Sequence, residues 1–131
     1  MIVLVDSGAV LALLNRNDRW HSQAVAVLQE LTAEKAILVM TNFLVAETHA
    51  LVLVRLGREL AREWLLTFDW NVLRVSPEDE RHARSIIENY RDKDFSFTDA
   101  TSFALMQRYG IKVAFTFDRH LRQFGLQTRG I

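Results

Sequence analysis

Four acidic side chains stand out in this 131-residue sequence because their positions suit metal chemistry. They are Asp6, Glu47, Asp99 and Asp118. Asp6 directly follows the apolar run Ile2–Val5, Asp118 comes shortly after the run 113–115, and the other two fall in segments with helical spacing. Mg²⁺ and Mn²⁺ prefer oxygen ligands in proteins. Four acids at one edge of a sheet would therefore form a site for a hard divalent cation.

The spacing around the two helical acids turns them toward the protein interior. Glu47 belongs to an apolar stripe at i, i+3 and i+4 spacing with Leu44, Leu51 and Val54. Asp99 shares a helix face with Phe103 and Met106. No lysine or arginine lies on the stripe of Glu47, and the nearest on its helix is Arg55. A buried carboxylate is costly unless it is paired, hydrogen-bonded or bound to a metal.

Each acid also has a structural interpretation without chemistry. Asp6 could cap a helix beginning near Ala9, Asp118 could cap a short helix that follows it, and Asp99 could complete a capping box with Ser96. The glutamate is not at a cap position, and its alternative is a salt bridge with an arginine distant in sequence. The metal site is favoured because one explanation covers all four positions.

Four short apolar runs predict the strands that would position these acids. The runs are continuous rather than alternating, which is typical of parallel strands covered on both faces. They span residues 2–5, 37–40, 72–75 and 113–115.

Helical patterns separate these runs. Apolar stripes pass through residues 20–31, 61–68 and 83–90, and two further helices are expected over 43–54 and 98–109. Ser76, Pro77 and Asp79 predict the start of the third stripe's helix, and Gly110 predicts the end of the last one. Strands that alternate with helices predict an α/β fold: a three-layer α/β/α sandwich with a central, mainly parallel sheet. In such sheets ligands bind at the carboxyl ends of the strands.

Composition narrows the possible classes of protein. Half of the residues are hydrophobic and 24% are charged, which predicts one folded domain over residues 1–131. The absence of cysteine excludes disulfide scaffolds and thiolate chemistry and suits the cytoplasm. No apolar stretch reaches the roughly 18 residues of a membrane span, so no membrane association is expected. Sixteen basic and sixteen acidic residues give zero net charge, without a strongly basic nucleic-acid footprint.

Other common motifs are missing or open to two interpretations. The histidines show no HxxxH or HExxH spacing and are interpreted as ordinary surface or hydrogen-bonded side chains, and no phosphate-binding glycine loop or GxSxG elbow occurs. Four arginines flank the two strand-end acids, where they could clamp phosphate or simply be solvated charge. They are Arg16, Arg19, Arg119 and Arg122.

Five short motifs follow one another in a fixed order. They are the opening strand into Asp6-Ser7-Gly8, then Asn42-Phe-Leu-Val-Ala-Glu47, Leu56-Gly57, Asp94-Phe-Ser96-Phe-Thr98-Asp99-Ala100 and Thr116-Phe-Asp118. Over essentially the whole chain this set resembles the PIN domain family, in particular the VapC-type toxin ribonucleases of toxin–antitoxin pairs.

The resemblance implies a metal-dependent endoribonuclease with a PIN-like fold. It implies that the four acids are catalytic and bind Mg²⁺, for which Mn²⁺ may substitute, and that RNA is cut to 5′-phosphate and 3′-hydroxyl products. Ser7 and Thr116 resemble hydroxyls that support the acids, and Asp94 matches a position that is acidic in only some members. The implied partners are a cognate VapB-type antitoxin and a second copy of the chain, forming a homodimer.

Two other classes of function stay open from the sequence. One is a non-catalytic PIN-like module that binds RNA or protein. The other is a flavodoxin-like phosphotransfer domain, which the residues favour less. A receiver domain needs paired acids after its first strand, whereas Asp6 is alone, and a HAD-type start needs an aspartate where Gly8 stands.

Overall fold

The computed structural model describes residues 1–131 and contains one five-stranded sheet. The strands are β1 (Ile2–Val5), β2 (Ile37–Thr41), β3 (Asn71–Leu73), β4 (Val113–Thr116) and β5 (Gln127–Gly130). Every neighbouring pair is parallel, and the order across the sheet is β3-β2-β1-β4-β5.

Seven helices flank the sheet, so the predicted α/β fold with a central parallel sheet is confirmed. The helices are α1 (Ser7–Leu14), α2 (His21–Ala33), α3 (Asn42–Leu56), α4 (Arg58–Thr67), α5 (Pro77–Asn89), α6 (Phe97–Tyr109) and α7 (Arg119–Gln123). The capping box of Ser76 and Asp79 opens α5 as expected, and the segment between α5 and α6 is a loop.

The strand order creates a crevice beside β1. The chain moves outward from β1 to β2 and β3, then returns to place β4 on the other side of β1. Ligands of open α/β sheets bind at such a switch point, outside the carboxyl ends of the strands. The order also differs from the 2-1-3-4-5 order of flavodoxin-like domains, which counts against a receiver-type phosphotransfer domain.

The two ends of the sheet differ most from the sequence prediction. β3 covers Asn71–Leu73 rather than residues 72–75. The backbone N–H of Val75 donates to Oδ1 of Asn42 instead of to a strand, and Ser76 already caps α5. β5 was not predicted, because Gln127–Gly130 is an edge strand of mostly polar residues without an apolar run.

The core explains why the central strands read as continuous apolar runs. Val3, Leu4 and Val5 of β1 are completely buried, as are Ala114 and Phe115 of β4. They belong to one cluster of 23 buried hydrophobic residues. Because the middle of the sheet is packed on both faces, the carboxyl ends of β1 and β4 are held firmly beside each other.

An ion pair between the buried Asp79 and the exposed Arg108 fixes α6 at the end remote from this crevice. Arg108 donates from Nε to Oδ1 of Asp79 at 2.9 Å and from Nη2 to Oδ2 at 2.7 Å. These bonds lower the pKa of the Asp79 carboxyl, together with the backbone N–H of Ser76. The pair ties α6 to the start of α5, so α6 presents its first turn to the crevice from a fixed position.

Three helices end in the same backbone arrangement, a Schellman motif with a residue in the left-handed region. After α6 this residue is Gly110 (φ 69°) and after α7 it is Gly125 (φ 102°). After α2 it is Lys35 (φ 56°), the one non-glycine residue with positive φ. There the N–H of Ala36 donates to the carbonyl of Leu31. None of the helices is both long and apolar enough to cross a membrane.

Candidate active site

Asp6 lies at the centre of the crevice, where β1 passes into α1. Its backbone is extended and its residue is only 6% exposed. One carboxylate oxygen accepts from the backbone N–H of Ser7 at 2.9 Å, and the other accepts from the hydroxyl of Thr116 at 2.7 Å. Thr116 is the last residue of β4, so the two neighbouring strands hold one carboxylate between them.

The surroundings of Asp6 disfavour its charged form. Burial, together with the smaller effects of Asp99 and Asp118, raises the pKa of Asp6 to about 7 against the opposing hydrogen bonds of Thr116 and Ser7. No lysine or arginine forms an ion pair with Asp6 or with the other three acids. A cation in the crevice would favour the ionised carboxylate.

Glu47 reaches the crevice from the second turn of α3. Its Oε1 accepts from the hydroxyl of Ser7 at 2.7 Å, so Ser7 holds Asp6 through its backbone and Glu47 through its side chain. The side chain of Glu47 is half-buried and makes no salt bridge, contrary to the alternative interpretation. The predicted apolar stripe of Leu44, Glu47, Leu51 and Val54 does not extend to its last member, because Val54 is 82% exposed. Its position lies beyond the part of α3 that covers the core.

Asp99 and Asp118 complete the group from the starts of α6 and α7. Asp99 forms a reciprocal capping box with Ser96, and its side chain is 14% exposed. The backbone N–H of Asp118 donates to Oγ1 of Thr116, and its carboxylate accepts from the backbone N–H of His120. Thr116 therefore links Asp6 to Asp118.

The capping and metal-site interpretations turn out to be compatible. Asp6, Asp99 and Asp118 are the cap or capping-box residues of α1, α6 and α7. α1 begins at Ser7 rather than near Ala9. Capping fixes each carboxylate at the first turn of a helix, and all three helices begin at the crevice. The partial positive charge at a helix N-terminus offsets part of the negative charge gathered there.

All four predicted site residues line one open cleft of about 330 Å³. Ser7, Ser96 and Asp94 also border it, and Asp94 is exposed. The structure thus brings together every acid that the sequence singled out. Their roles as metal ligands and catalytic residues are taken up below as part of the proposal.

His120 belongs to this group and was missed by the sequence interpretation. Its Nδ1 lies 2.9 Å from Oδ2 of Asp99 and 3.5 Å from Oδ1 of Asp118. No zinc-binding spacing surrounds it, and it was therefore assigned to ordinary histidines. One feature of the sequence could have indicated that His120 belongs to the site: it lies two residues after Asp118, in the first turn of a helix.

The donor set fits a divalent cation. Asp99, Asp118 and His120 offer ligand atoms that all lie within 4.8 Å of one another, and the carboxylate of Asp6 lies beside them in the same cleft. Carboxylates suit Mg²⁺ and Mn²⁺, and an imidazole is a better ligand for Mn²⁺ than for Mg²⁺.

The flanking arginines separate into different environments. Arg119 lines a second cavity beside the cleft, whereas Arg122 points a guanidinium nitrogen at Oγ1 of Thr128, 3.3 Å away. Arg19 lies over the ring of Trp20. Arg55, which the sequence interpretation did not count among the flanking arginines, borders both the cleft and the second cavity.

Comparison with known proteins agrees with this geometry. The family model of the PIN domain matches residues 3–126. The 23S rRNA-specific endonuclease VapC20 of Mycobacterium tuberculosis is 33% identical over 121 residues, 89% of each chain. Ribonuclease VapC26 of the same organism is 29% identical over 121 residues, 89% of this chain and 87% of that protein.

Solved structures show the same fold. The crystal structure of M. tuberculosis VapC20, a sarcin–ricin loop cleaving toxin, superposes with a TM-score of 0.84 at 29% identity, covering 96% of both chains. VapBC2 from Rickettsia felis, bound to a DNA fragment from its promoter, gives a TM-score of 0.73 at 13% identity, covering 98% of this chain and 97% of that one. With a family model that spans nearly its whole length and a relative at 33% identity, this chain belongs to the PIN domain family, in which its relatives are VapC-type ribonucleases.

Proposed function

We propose that residues 1–131 form a single nuclease domain that hydrolyses RNA phosphodiester bonds with a divalent metal ion. The observation that carries the proposal is the convergence of four carboxylates on one cleft without a lysine or arginine paired to any of them. The similarity to proteins named endonuclease and ribonuclease supports RNA as the substrate.

The acids of the cleft would hold the ion. They are Asp6, Glu47, Asp99 and Asp118, with Mg²⁺ as the expected ion and Mn²⁺ as a substitute. A divalent ion at such a site polarises the phosphoryl group, lowers the pKa of bound water and orients the substrate for in-line displacement. His120 lies between Asp99 and Asp118, with Nδ1 2.9 Å from Oδ2 of Asp99 and 3.5 Å from Oδ1 of Asp118.

The chain's own hydrogen bonds hold the acids in place before any ligand arrives. Thr116 and the Ser7 backbone fix the two oxygens of Asp6, and the Ser7 hydroxyl fixes Glu47. Outer partners of this kind orient the ligands of a metal site, and their removal commonly costs about 10–100-fold in affinity or activity. The site is thus preorganised by β1, β4 and the first turns of three helices.

The proposed biological role is that of the toxin in a VapBC-type toxin–antitoxin pair. The chain's relatives are VapC proteins, and similar folds are found in toxin–antitoxin complexes. The partners would be a VapB-type antitoxin and a second copy of this chain. Val54 of α3 and Leu66 of α4 are 82% and 75% exposed, as expected of side chains that a partner covers. Sedimentation of the purified chain at micromolar concentration tests the homodimer, which a monomer would contradict.

The nuclease proposal is tested by incubating the purified chain with a mixed RNA pool in Mg²⁺, Mn²⁺ or EDTA. Cleavage is expected with either ion and is expected to stop in EDTA. Asp6→Asn should keep the fold and lose more than about 100-fold of the activity, because it removes a ligand charge rather than an outer partner.

Asp69→Asn is the matched control. Asp69 is exposed and lies outside the cleft, so this variant should cleave like the wild type. Full activity in EDTA, or in Asp6→Asn, would contradict the proposal.

A further inference from the structure

A second cavity opens directly beside the acidic cleft and has a different chemistry. Its volume is about 470 Å³, within the range of about 300–1,000 Å³ that small-ligand sites occupy. It shares several lining residues with the cleft, so the two spaces are continuous: Gly8, Leu11, Arg55, Asp118 and His120. We call the second space the aromatic pocket. It is distinguished by Trp20, Phe117, Arg119 and Gln123, which do not border the cleft.

Two stacked rings form one wall of the aromatic pocket. The indole of Trp20 and the ring of Phe117 are stacked, with centroids 5.3 Å apart and an angle of 13° between their planes. The guanidinium of Arg19, an exposed residue, lies over the indole with Cζ 4.8 Å from the ring centroid. The indole thus carries Phe117 and Arg19, and a base that stacks on it would take the place of the Arg19 guanidinium.

The position of this wall relative to the acids is fixed by the backbone. Phe117 lies between Thr116, which bonds Asp6, and Asp118. Gly130 of β5 packs against the same segment with a φ of 113°. A Cβ there would lie 2.6 Å from the carbonyl oxygen of Thr116 and 3.1 Å from the ring of Phe117. The close approach of β5 leaves the Phe117 ring little freedom to leave its place.

The aromatic pocket also carries two arginines that form no ion pair within the chain. Arg55 and Arg119 are exposed and form no ion pair. Two acidic residues also line the pocket: Asp118, which borders the cleft as well, and Asp18, which accepts from the backbone N–H of Trp20 at 2.7 Å. Arg55 borders both spaces, which places a guanidinium where a chain of phosphates would pass from one to the other.

We propose that the aromatic pocket is a nucleotide subsite, in which a base of single-stranded RNA stacks on Trp20 while Arg55 and Arg119 contact the adjoining phosphates. The inference rests on the proposed nuclease function, because continuity with the cleft is what places this nucleotide next to the scissile phosphate. Aromatic side chains bind any base through its π-face, and arginine adds phosphate contacts. The subsite therefore positions single strands without selecting strongly among bases.

The test measures binding apart from cleavage. Fluorescein-labelled octanucleotides of uridine or adenosine are titrated in EDTA at low salt, and anisotropy gives the affinity. Every variant keeps the four carboxylates, so their repulsion of RNA cancels in the comparison. Trp20→Leu should weaken binding about 5- to 160-fold, which corresponds to about 1–3 kcal/mol for one stacked base. Trp20→Phe retains a π-face and should stay within about threefold of the wild type.

Tyr109→Leu is the matched control. Tyr109 is also an exposed aromatic residue with an arginine over its ring. It lies ten residues along α6 from Asp99, about 15 Å at the rise of an α-helix. Its RNA affinity should equal that of the wild type.

Tryptophan emission supplies a second readout that does not depend on Trp20→Leu folding well. Unlabelled RNA should quench the wild type, and Trp20→Phe should lose that quenching while it still binds. Unchanged affinity in Trp20→Leu, or equal quenching in Trp20→Phe, would overturn the subsite. If the wild type still cleaved RNA with metal in that case, the nuclease function would stand; a wild type that neither binds nor cleaves RNA would overturn both.

Discussion

At the scale of single residues, the site depends on a carboxylate that the fold holds in an unfavourable state. Asp6 is buried among other acids, and its two oxygens are fixed by Thr116 and the Ser7 backbone. These hydrogen bonds do not outweigh burial, which raises the pKa of Asp6 to about 7. The protein therefore carries a free-energy cost at neutral pH that a bound cation would relieve.

This cost predicts how the metal-free protein responds to pH. The folded pKa of Asp6 exceeds its unfolded value of about 3.9, so its contribution to stability is fully present below pH 4 and is lost as pH rises through about 7. Between these values the free energy of unfolding should fall by up to about 1.4 kcal/mol per pH unit from this group. In EDTA, Asp6→Asn should lose this dependence and be more stable than the wild type at pH 8.

Denaturation by urea at several pH values measures the effect. The difference between wild type and Asp6→Asn isolates Asp6 from the other acids of the cleft. Mn²⁺ at 100 times its dissociation constant should stabilise the wild type by about 2.7 kcal/mol and the variant much less. Parallel pH profiles for the two proteins, with no Mn²⁺ effect on either, would show that the four acids do not act as one site.

The sequence predicted the acids because their positions are tied to the backbone. Asp6 and Asp118 follow strands, and the spacing of Ser96 and Asp99 is a capping signature. For His120 the sequence offered only its position two residues after Asp118, because its contact with Asp99 depends on how α7 and α6 meet in space. The aromatic pocket depends likewise on a stack between Trp20 and Phe117, residues 97 positions apart in the chain (117 − 20).

At the scale of elements, helix ends determine the geometry of the molecule. Three helices begin at the cleft with an acid that caps them, and three end in a Schellman motif. Two of these endings use glycine, which adopts positive φ without steric cost. The ending of α2 uses Lys35 instead.

Lys35→Gly should therefore stabilise the protein. A side chain in the left-handed region costs roughly 1–2 kcal/mol, and the substitution removes this cost. Glycine is more flexible in the unfolded state, which reduces the gain in stability by about 0.5–1 kcal/mol. The expected increase in the free energy of unfolding is about 0.5–1 kcal/mol, measured by urea denaturation. Gly110→Ala is the opposite control and should destabilise by about 1 kcal/mol. A less stable Lys35→Gly would contradict this interpretation of the α2 ending.

The strand boundaries that depend on a segment's own residues were predicted, whereas those that depend on contacts with other elements were not. The central strands were predicted nearly to the residue, because complete burial leaves a continuous apolar run. β5 was missed because its place at the edge beside β4 requires only backbone hydrogen bonds, which any side chains permit. The end of β3 was misplaced because a side chain from α3, Asn42, takes the N–H of Val75.

At the scale of the whole molecule, the acidic and basic residues are equal in number, but they gather in different places. The net charge is zero, yet acids fill the cleft and unpaired arginines border the aromatic pocket. RNA must therefore be held by local arginines rather than by an overall field. The sequence grouped Arg119 with Arg122, and the structure separates them, because only Arg119 lines the pocket.

Arg119→Ala should reduce the salt dependence of RNA binding. For single strands the slope of log affinity against log salt changes by about 0.7 for each phosphate contact that is lost. Arg122→Ala, whose guanidinium bonds Thr128, should change the slope much less. Affinity measured from 50 to 300 mM KCl, by the same anisotropy titration, gives both slopes. Equal slopes in the two variants would assign Arg119 to ordinary surface charge.

The pairing of β1 with β4 has a consequence during protein synthesis. Asp6 and Asp118 are 112 positions apart (118 − 6), and a ribosome adding about 5–20 residues per second needs about 6–22 s to make the stretch between them. Until residue 116 has emerged, β1 lacks a neighbour on one side and Asp6 lacks the hydroxyl that holds it. A nascent or prematurely terminated chain therefore has no assembled site, and the activity arises only when translation of this segment has finished.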